Sequence, residues 1–151
     1  MREIFLTFFY TGLSPKAPGT VGSFAALIVG YIVLTYVDVS TLFLMFLFVT
    51  LVAIREINIY EDETNSHDQS KIVIDEVSGM WLALCISGAT LTQMILSFIF
   101  FRALDIYKPS IIGRIDRDVK GGLGVMGDDV VAGAFAGLLS AMCFGIIGDV
   151  L

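Results

Sequence analysis

Four stretches of the chain carry no charged residue: Ala17–Val37, Val39–Ile54, Val77–Phe101 and Val130–Gly148, of 21, 16, 25 and 19 residues. Together they make up more than half of the 151 residues, so the 9 basic and 15 acidic side chains crowd into what remains. A helix on a soluble core keeps a polar outer face, whereas a segment apolar all round and close to about 20 residues long is sized for a bilayer. The pattern predicts an all-α fold, a compact multi-helix integral membrane bundle, and the length allows one domain over residues 1–151.

Pro15-Lys-Ala-Pro18-Gly19-Thr20 reads as a turn before a helix, with Thr20 or Ser23 placed to satisfy first-turn amides, and the helix runs to about Val37. Asp38 alone separates it from the second run, which Arg55 closes, and the two form a hairpin. Residues 55–71, rich in acids, read as a helical extension into water and then a loop. The third run holds Ser87-Gly-Ala-Thr90, which is turn chemistry, so it is either one tilted span or two arms, Ile72–Ser87 and Leu91–Asp105. A single crossing would divide the nine Lys and Arg between the two sides of the membrane. A two-armed hairpin gathers them all on one, and by the bias of basic residues toward cytoplasmic loops that side is the cytoplasm. The hairpin is therefore expected, with the polar loops meeting at the cytoplasmic face.

A net charge of −6 argues against nucleic acid as a partner. Cys85 and Cys143 lie within apolar runs, without metal-ligand spacing, and read as buried inert thiols. In Met1–Gly12, Glu3 cancels Arg2 and the apolar run Ile4–Phe9 is short for a signal peptide.

Three clusters of ionisable residues sit at the margins of apolar runs, where a charge is costly and functional by default. Asp75-Glu76 heads the third run, with Gly79 one turn on keeping that face open. Arg102, Asp105 and Lys108 recur every third residue and share a helical face. Lys120-Gly121-Gly122-Leu-Gly-Val-Met-Gly127-Asp128-Asp129 is read as a glycine-rich loop ending in paired carboxylates at the start of the last helix. Acidic clusters without His or Cys suit a hard cation such as Mg²⁺, and glycine loops let backbone amides approach an anion. Carboxylates, glycines and basic residues together describe a metal-assisted phosphoryl site. Plainer readings stand beside this one: Asp128-Asp129 as an N-cap with a first-turn acid, Asp105 as half of a surface ion pair, and the glycines as a turn. His67, the single histidine, reads as a loop residue rather than a base.

Four blocks carry a resemblance: Gly12-Leu-Ser-Pro-Lys-Ala-Pro-Gly-Thr-Val-Gly-Ser23; His67-Asp68 with Ile72-Val-Ile-Asp-Glu-Val-Ser-Gly-Met-Trp81; Phe101-Arg-Ala-Leu-Asp-Ile-Tyr-Lys-Pro109; and Asp116-Arg-Asp-Val-Lys-Gly-Gly-Leu-Gly-Val-Met-Gly-Asp-Asp-Val-Val-Ala-Gly133. In this order they resemble the phosphatidylglycerophosphatase A family, bacterial membrane lipid phosphatases. The resemblance implies Mg²⁺-dependent hydrolysis of phosphatidylglycerophosphate to phosphatidylglycerol and inorganic phosphate, a step of phospholipid synthesis at the cytoplasmic face of the bacterial inner membrane.

On that footing Asp75, Asp128 and Asp129 are expected to hold Mg²⁺ and Glu76 to orient or deprotonate the attacking water. Arg102 and Lys108 would neutralise phosphate oxygens, assisted by Thr20, Ser23 and the amides of Gly121 and Gly122. Asp105 is either a further ligand or the orienter of Lys108. An aspartyl-phosphate route through Asp116-Arg-Asp118 lacks the strand-rich surroundings that such a site needs. A different class, a small ion- or proton-coupled transporter or assembly subunit, would place its acids near the bilayer midplane rather than at segment ends.

Overall fold

The computed structural model describes residues 1–64 and 70–150, without the side chains of 147–150. Among these residues there are seven α-helices and no strand: α1 Arg2–Leu6, α2 Pro18–Tyr36, α3 Val39–Thr64, α4 Ile74–Ser87, α5 Leu91–Tyr107, α6 Ile111–Asp118 and α7 Gly122–Val150. A 3-10 turn, Thr11–Leu13, lies between α1 and α2. Three of the helices, α2, α3 and the Gly122–Ile146 stretch of α7, are long and apolar enough to cross a membrane. His67 and Asp68 lie outside the described residues.

The apolar runs become helices much as their boundaries imply. Pro18 opens α2 at its first position, where the missing N–H costs nothing. Asp38 stops the chain between α2 and α3 and accepts the Thr41 N–H at 2.7 Å, tying down the first turn of α3. α3 continues past Ile54 to Thr64, and there Arg2 of α1 reaches Glu56 at 2.9 Å and Glu63 at 2.5 Å. The third run is two arms: Thr90 and Gln93 form a capping box that starts α5 after the turn at Gly88. At about 1.5 Å per residue the arms are short, ~21 Å for the 14 residues of α4 and ~25 Å for the 17 of α5.

α4 is the centre of the bundle, with Val77, Met80, Ala83 and Leu84 fully buried. On one side α2 closes against it, Gly22 on Val73 and Gly30 on Leu84, and the Trp81 indole donates to the Ala26 carbonyl at 3.0 Å. On another side α7 crosses it at backbone contact. The small residues repeat every four positions on both helices, Gly79 and Ala83 facing Gly133 and Gly137. A methyl group on Gly79 would stand 2.5 Å from the Asp129 carbonyl oxygen, and one on Gly137 would stand 2.7 Å from that of Ala83. Small residues at this spacing let helices pack in a membrane, where apolar burial drives little association.

The segment 120–127 departs from its expected form. It is not a loop: α7 begins at Gly122, and Gly124 and Gly127 lie inside the helix. Gly121 supplies the turn, at φ 71°. Asn58 of α3 accepts the Gly122 N–H at 2.7 Å, and Gly122 rests on the Ile54 backbone. Packing against α3 thus outweighs the poor helix propensity of glycine. α6 was not foreseen; it is a short amphipathic helix, burying Ile112 and Gly113 and exposing Arg114 and Arg117.

The α4–α7 contact predicts substitutions of opposite sign. Gly133 sits against the Gly79 backbone, whereas Gly145 on the same helix has open space around it. Gly133→Ala should destabilise by roughly 1–3 kcal/mol through overpacking. Gly145→Ala should be neutral or stabilise by up to about 1 kcal/mol through helix propensity. Unfolding of the two variants in detergent checks the pair.

Candidate active site

At the end of the bundle where α2 begins and α5 ends lies a polar cavity of about 270 Å³. Four helices and one strap meet there. α4 contributes Asp75 and Glu76, α5 contributes Arg102 and Asp105 with Lys108 just beyond it, and α7 contributes Asp128 and Asp129. The start of α2, Ala17 to Gly19, and the strap residues Ser70 and Ile72 complete the wall.

The convergence of acids follows from the helix crossing. Asp75 is one turn before Gly79 and Asp129 one turn before Gly133, so the contact that joins the backbones also brings these carboxylates together. Asp75, Glu76 and Asp129 each offer an oxygen within 4.8 Å of the others. Three further oxygens, Glu76 Oε2, Asp128 Oδ1 and Asp129 Oδ1, are buried without a hydrogen-bond partner. Buried polar atoms are normally paired, so a group of free carboxylate oxygens needs an explanation. All-oxygen donors, with waters able to complete the shell, fit a hard divalent cation of the Mg²⁺ kind.

Two basic side chains face the acids. The Arg102 guanidinium is paired with Asp105 through Nη1, lies 4.0 Å from Glu76 Oε1 and donates to Ser23 Oγ at 3.3 Å. Lys108 bridges Asp116 of α6 at 2.5 Å and Asp128 of α7 at 2.6 Å. Burial works against the Lys108 charge, but the hydrogen bonds to Asp116 and Asp128 outweigh it and raise its pKa above the ordinary lysine value. A raised lysine pKa stabilises the fold below its unfolded value and is lost only as the pH climbs past the folded one. The tie among α5, α6 and α7 is therefore charged throughout the neutral range.

The expected site residues divide accordingly. Asp75, Glu76, Arg102, Asp105, Lys108, Asp128 and Asp129 meet at one cavity. In the acid triplet Glu76 takes the place expected of Asp128, which instead spends one oxygen on Lys108. Neither Asp128 nor Asp129 is an N-cap, because both lie well inside α7. Ser23 is not on the cavity wall and caps nothing: it reaches the site only through Arg102, and its hydroxyl donates back to the Gly19 carbonyl at 2.7 Å. The N-cap of α2 is Ala17, in the left-handed region, with no side-chain capping bond, so Thr20 does not cap and is not on the cavity wall. Gly121 and Gly122 are likewise off the cavity, the Gly122 amide being held by Asn58.

The sequence does not announce the parts of Gly19 and Asn58, and Asp116, weighed there only as the head of an Asp-x-Asp pair, is instead a partner of Lys108. A side chain on Gly19 would collide with the Glu76 carboxylate. Its presence in a Pro-Gly step was a signal, although it read only as a turn. The first N–H groups of α2 have no intrahelical acceptor, so this end of the helix is suited to an anion in the cavity.

The family model described as Phosphatidylglycerophosphatase A matches residues 4–144. A phosphatidylglycerophosphatase A of Escherichia coli is 37% identical over 133 residues, 87% of this chain and 77% of that protein. One of Haemophilus influenzae is 34% identical, with 85% of this chain and 79% of the relative covered. A Bacteroides thetaiotaomicron protein with the provisional name phosphatidylinositol-3-phosphatase is 33% identical, covering 94% of this chain and 92% of its own. No solved structure matches.

The Arg102 contacts predict a paired effect on stability. Arg102→Met removes the cation beside Asp105 and Glu76 and should cost roughly 3 kcal/mol, as the loss of one partner from a buried ion pair does. The double variant Arg102→Met/Asp105→Leu should recover most of that loss. Unfolding of both in detergent with chelator present is the measurement.

Proposed function

The chain belongs to the phosphatidylglycerophosphatase A family, and from that premise we propose that it is a Mg²⁺-dependent phosphoric monoester hydrolase. Its substrate is a phospholipid with a terminal phosphate, phosphatidylglycerophosphate, and its products are phosphatidylglycerol and inorganic phosphate. One observation supports the reading above the rest: buried, partnerless carboxylate oxygens share a small cavity with Arg102 and a helix N-terminus. A metal-assisted phosphoryl centre needs both halves of that arrangement, one for a cation and one for an anion.

Asp75, Asp129 and one oxygen of Glu76 would hold Mg²⁺, which when bound supplies charge neutralisation at the phosphoryl group. Glu76 Oε2, without a partner, is the base for the attacking water. The water oxygen bonds to phosphorus, the bond from phosphorus to the glycerol oxygen breaks, and a proton passes to that leaving oxygen. Arg102 balances charge on the phosphate oxygens, while Asp105 fixes its guanidinium through the Nη1 contact. Lys108, drawn toward the cavity by Asp128, adds a second positive charge at its edge. The α2 N-terminus contributes free amides on the side of Gly19.

An aspartyl-phosphate route finds no support, because Asp116 lies on an exposed turn of α6, bound to Lys108. The transporter reading is disfavoured too: the acids cluster where α2 begins and α5 ends rather than midway along the helices. We place the cavity on the cytoplasmic side of the bacterial inner membrane, because every described basic residue lies at that end of the bundle.

Three expected outcomes test these readings. Purified protein should release phosphate from phosphatidylglycerophosphate, with EDTA abolishing release and Mg²⁺ restoring it. Phosphatidylinositol 3-phosphate, offered in parallel, decides between the names its relatives carry. Asp129→Asn should lower turnover on the order of a hundredfold or more, as loss of a strong electrostatic contact in the transition state does, with unfolding in chelator unchanged. For topology, cysteines at Ser14 and Ser110 in a variant lacking Cys85 and Cys143 should label together with an impermeant reagent from the cytoplasmic side. Opposite labelling of the two positions would exclude the hairpin arrangement.

A further inference from the structure

A phosphate group seated in the cavity leaves the rest of a lipid molecule to be accommodated, and most of the seams radiating from the cavity are closed. The α2–α4 seam is shut by Gly22 on Val73, Gly30 on Leu84 and the Trp81 to Ala26 hydrogen bond. Backbone contact at Gly79, Gly133 and Gly137 shuts α4–α7. Between α5 and α7, Ser140 donates to the Gln93 carbonyl at 2.8 Å. The α2–α5 seam is closed beside the cavity and opens only further along. Near the cavity it is joined by Ser23 and Arg102, and one turn further by an edge-on contact of Phe24 with Phe98, ring centroids 6.1 Å apart.

Beyond that pair the two helices part over an apolar groove of about 180 Å³ lined by Leu27, Ile28, Tyr31, Leu91 and Met94. Leu27 is one turn, and Tyr31 two turns, from Ser23 on the same helix. At 1.5 Å per residue the groove therefore runs from about 6 to about 12 Å along α2 from Ser23, and from about 12 to about 16 Å along α5 from Arg102. Other apolar recesses do not lead to the cavity. The one at Val39, Phe43 and Leu44 is at the opposite end of α3 and α4, and the one under α1 meets α4 on its Ile74 and Trp81 face, away from Glu76.

We propose that the α2–α5 groove holds a fatty acyl chain of the phospholipid whose phosphate occupies the cavity, with Phe24 and Phe98 marking the threshold between headgroup and chain. This rests on the lipid phosphatase reading and adds to it a route: the substrate engages sideways from the bilayer, between α2 and α5. Specificity for a lipid over a soluble phosphomonoester then comes from Leu27, Ile28 and Met94 rather than from the polar cavity.

The test compares long-chain and dihexanoyl phosphatidylglycerophosphate in detergent micelles. Ile28→Trp, which fills the groove from its exposed side, should lower the ratio of kcat/KM for the long-chain over the short-chain substrate about tenfold, the equivalent of roughly two buried methylenes. Leu44→Trp, in the recess on the far side, should leave that ratio unchanged. An unaltered ratio in Ile28→Trp, or an equal change in Leu44→Trp, overturns the proposal. A second measurement does not need turnover: a phosphatidylglycerophosphate with a diazirine in mid-chain is photolysed with the protein in vesicles, and a diazirine phosphatidylcholine serves as the reference. Labelling of peptides containing 27–31 and 91–94 by the first lipid well above the second supports the groove. Equal labelling by both, or labelling spread over all lipid-facing helices, overturns it. If wild-type protein releases no phosphate from either chain length, the enzymatic reading fails, and the photolabelling alone decides whether the groove takes the lipid.

Discussion

The close approach of α4 and α7 is the contact on which the site depends. Each helix has a small residue one turn beyond an acid, Asp75 before Gly79 and Asp129 before Gly133, and the pairing repeats at Ala83 and Gly137. Helices separated by ordinary side chains lie 8–10 Å apart, too far for carboxylates on short aspartate stems to converge with their neighbours. Removing the side chains at the crossing lets the backbones touch, and the acids one turn away inherit that proximity. Burying charges together carries a high electrostatic cost, which the proposed divalent cation would offset. The scaffold is thus strong where the site is electrostatically costly, and the two features are built from the same few positions.

Much of this was legible in the sequence. Charge-free runs bounded by Asp38, Arg55 and the Ser87–Thr90 turn delimit α2, α3 and the two arms closely, because in a membrane the absence of charge is itself the structural signal. Asp75, Glu76, Arg102, Asp105, Lys108, Asp128 and Asp129 stood out for the same reason, as ionisable groups at the margins of those runs. The glycines misled. Residues 121–127 look like a loop by local propensity, yet only Gly121 turns the chain. The others are helical, and a side chain at Gly122 or Gly124 would collide with the backbone of Ile54 or Val119. That is a tertiary requirement, with no local pattern to announce it. The same holds for Asp116, an unremarkable surface acid until α6 folds back and meets Lys108.

Two kinds of cation handling divide the site. Arg102 meets polar groups on three helices, with Ser23, Glu76 and Asp105 all within 4.0 Å of a single nitrogen. Its planar, permanently charged head suits a role in which geometry must persist while a substrate's charge changes. Lys108 is held in a left-handed C-cap at φ 42° and is followed by Pro109 and by Ser110 at φ 50°. Its backbone is set by a sharp reversal into α6, and its ammonium spans two acids from different helices. The lysine is thereby a tie between elements as well as a charge, and it keeps Asp128 from joining the acid triplet with both oxygens.

The brevity of the α4–α5 hairpin has a consequence for the surrounding lipid. A bilayer core is about 30 Å thick, and α5, facing lipid through Leu91, Ile95 and Ile99, offers only ~25 Å of helix. In the Gly88–Thr90 turn the Gly88 amide donates to the Leu84 carbonyl and the Thr90 amide to the Gln93 side chain, so it tolerates a position short of the far headgroups. Hydrophobic mismatch is relieved by local thinning of the membrane at a cost of fractions of a kcal/mol per ångström. The lipid beside α5 is therefore compressed relative to an unperturbed bilayer. The thinned sector lies along the helix that carries Arg102.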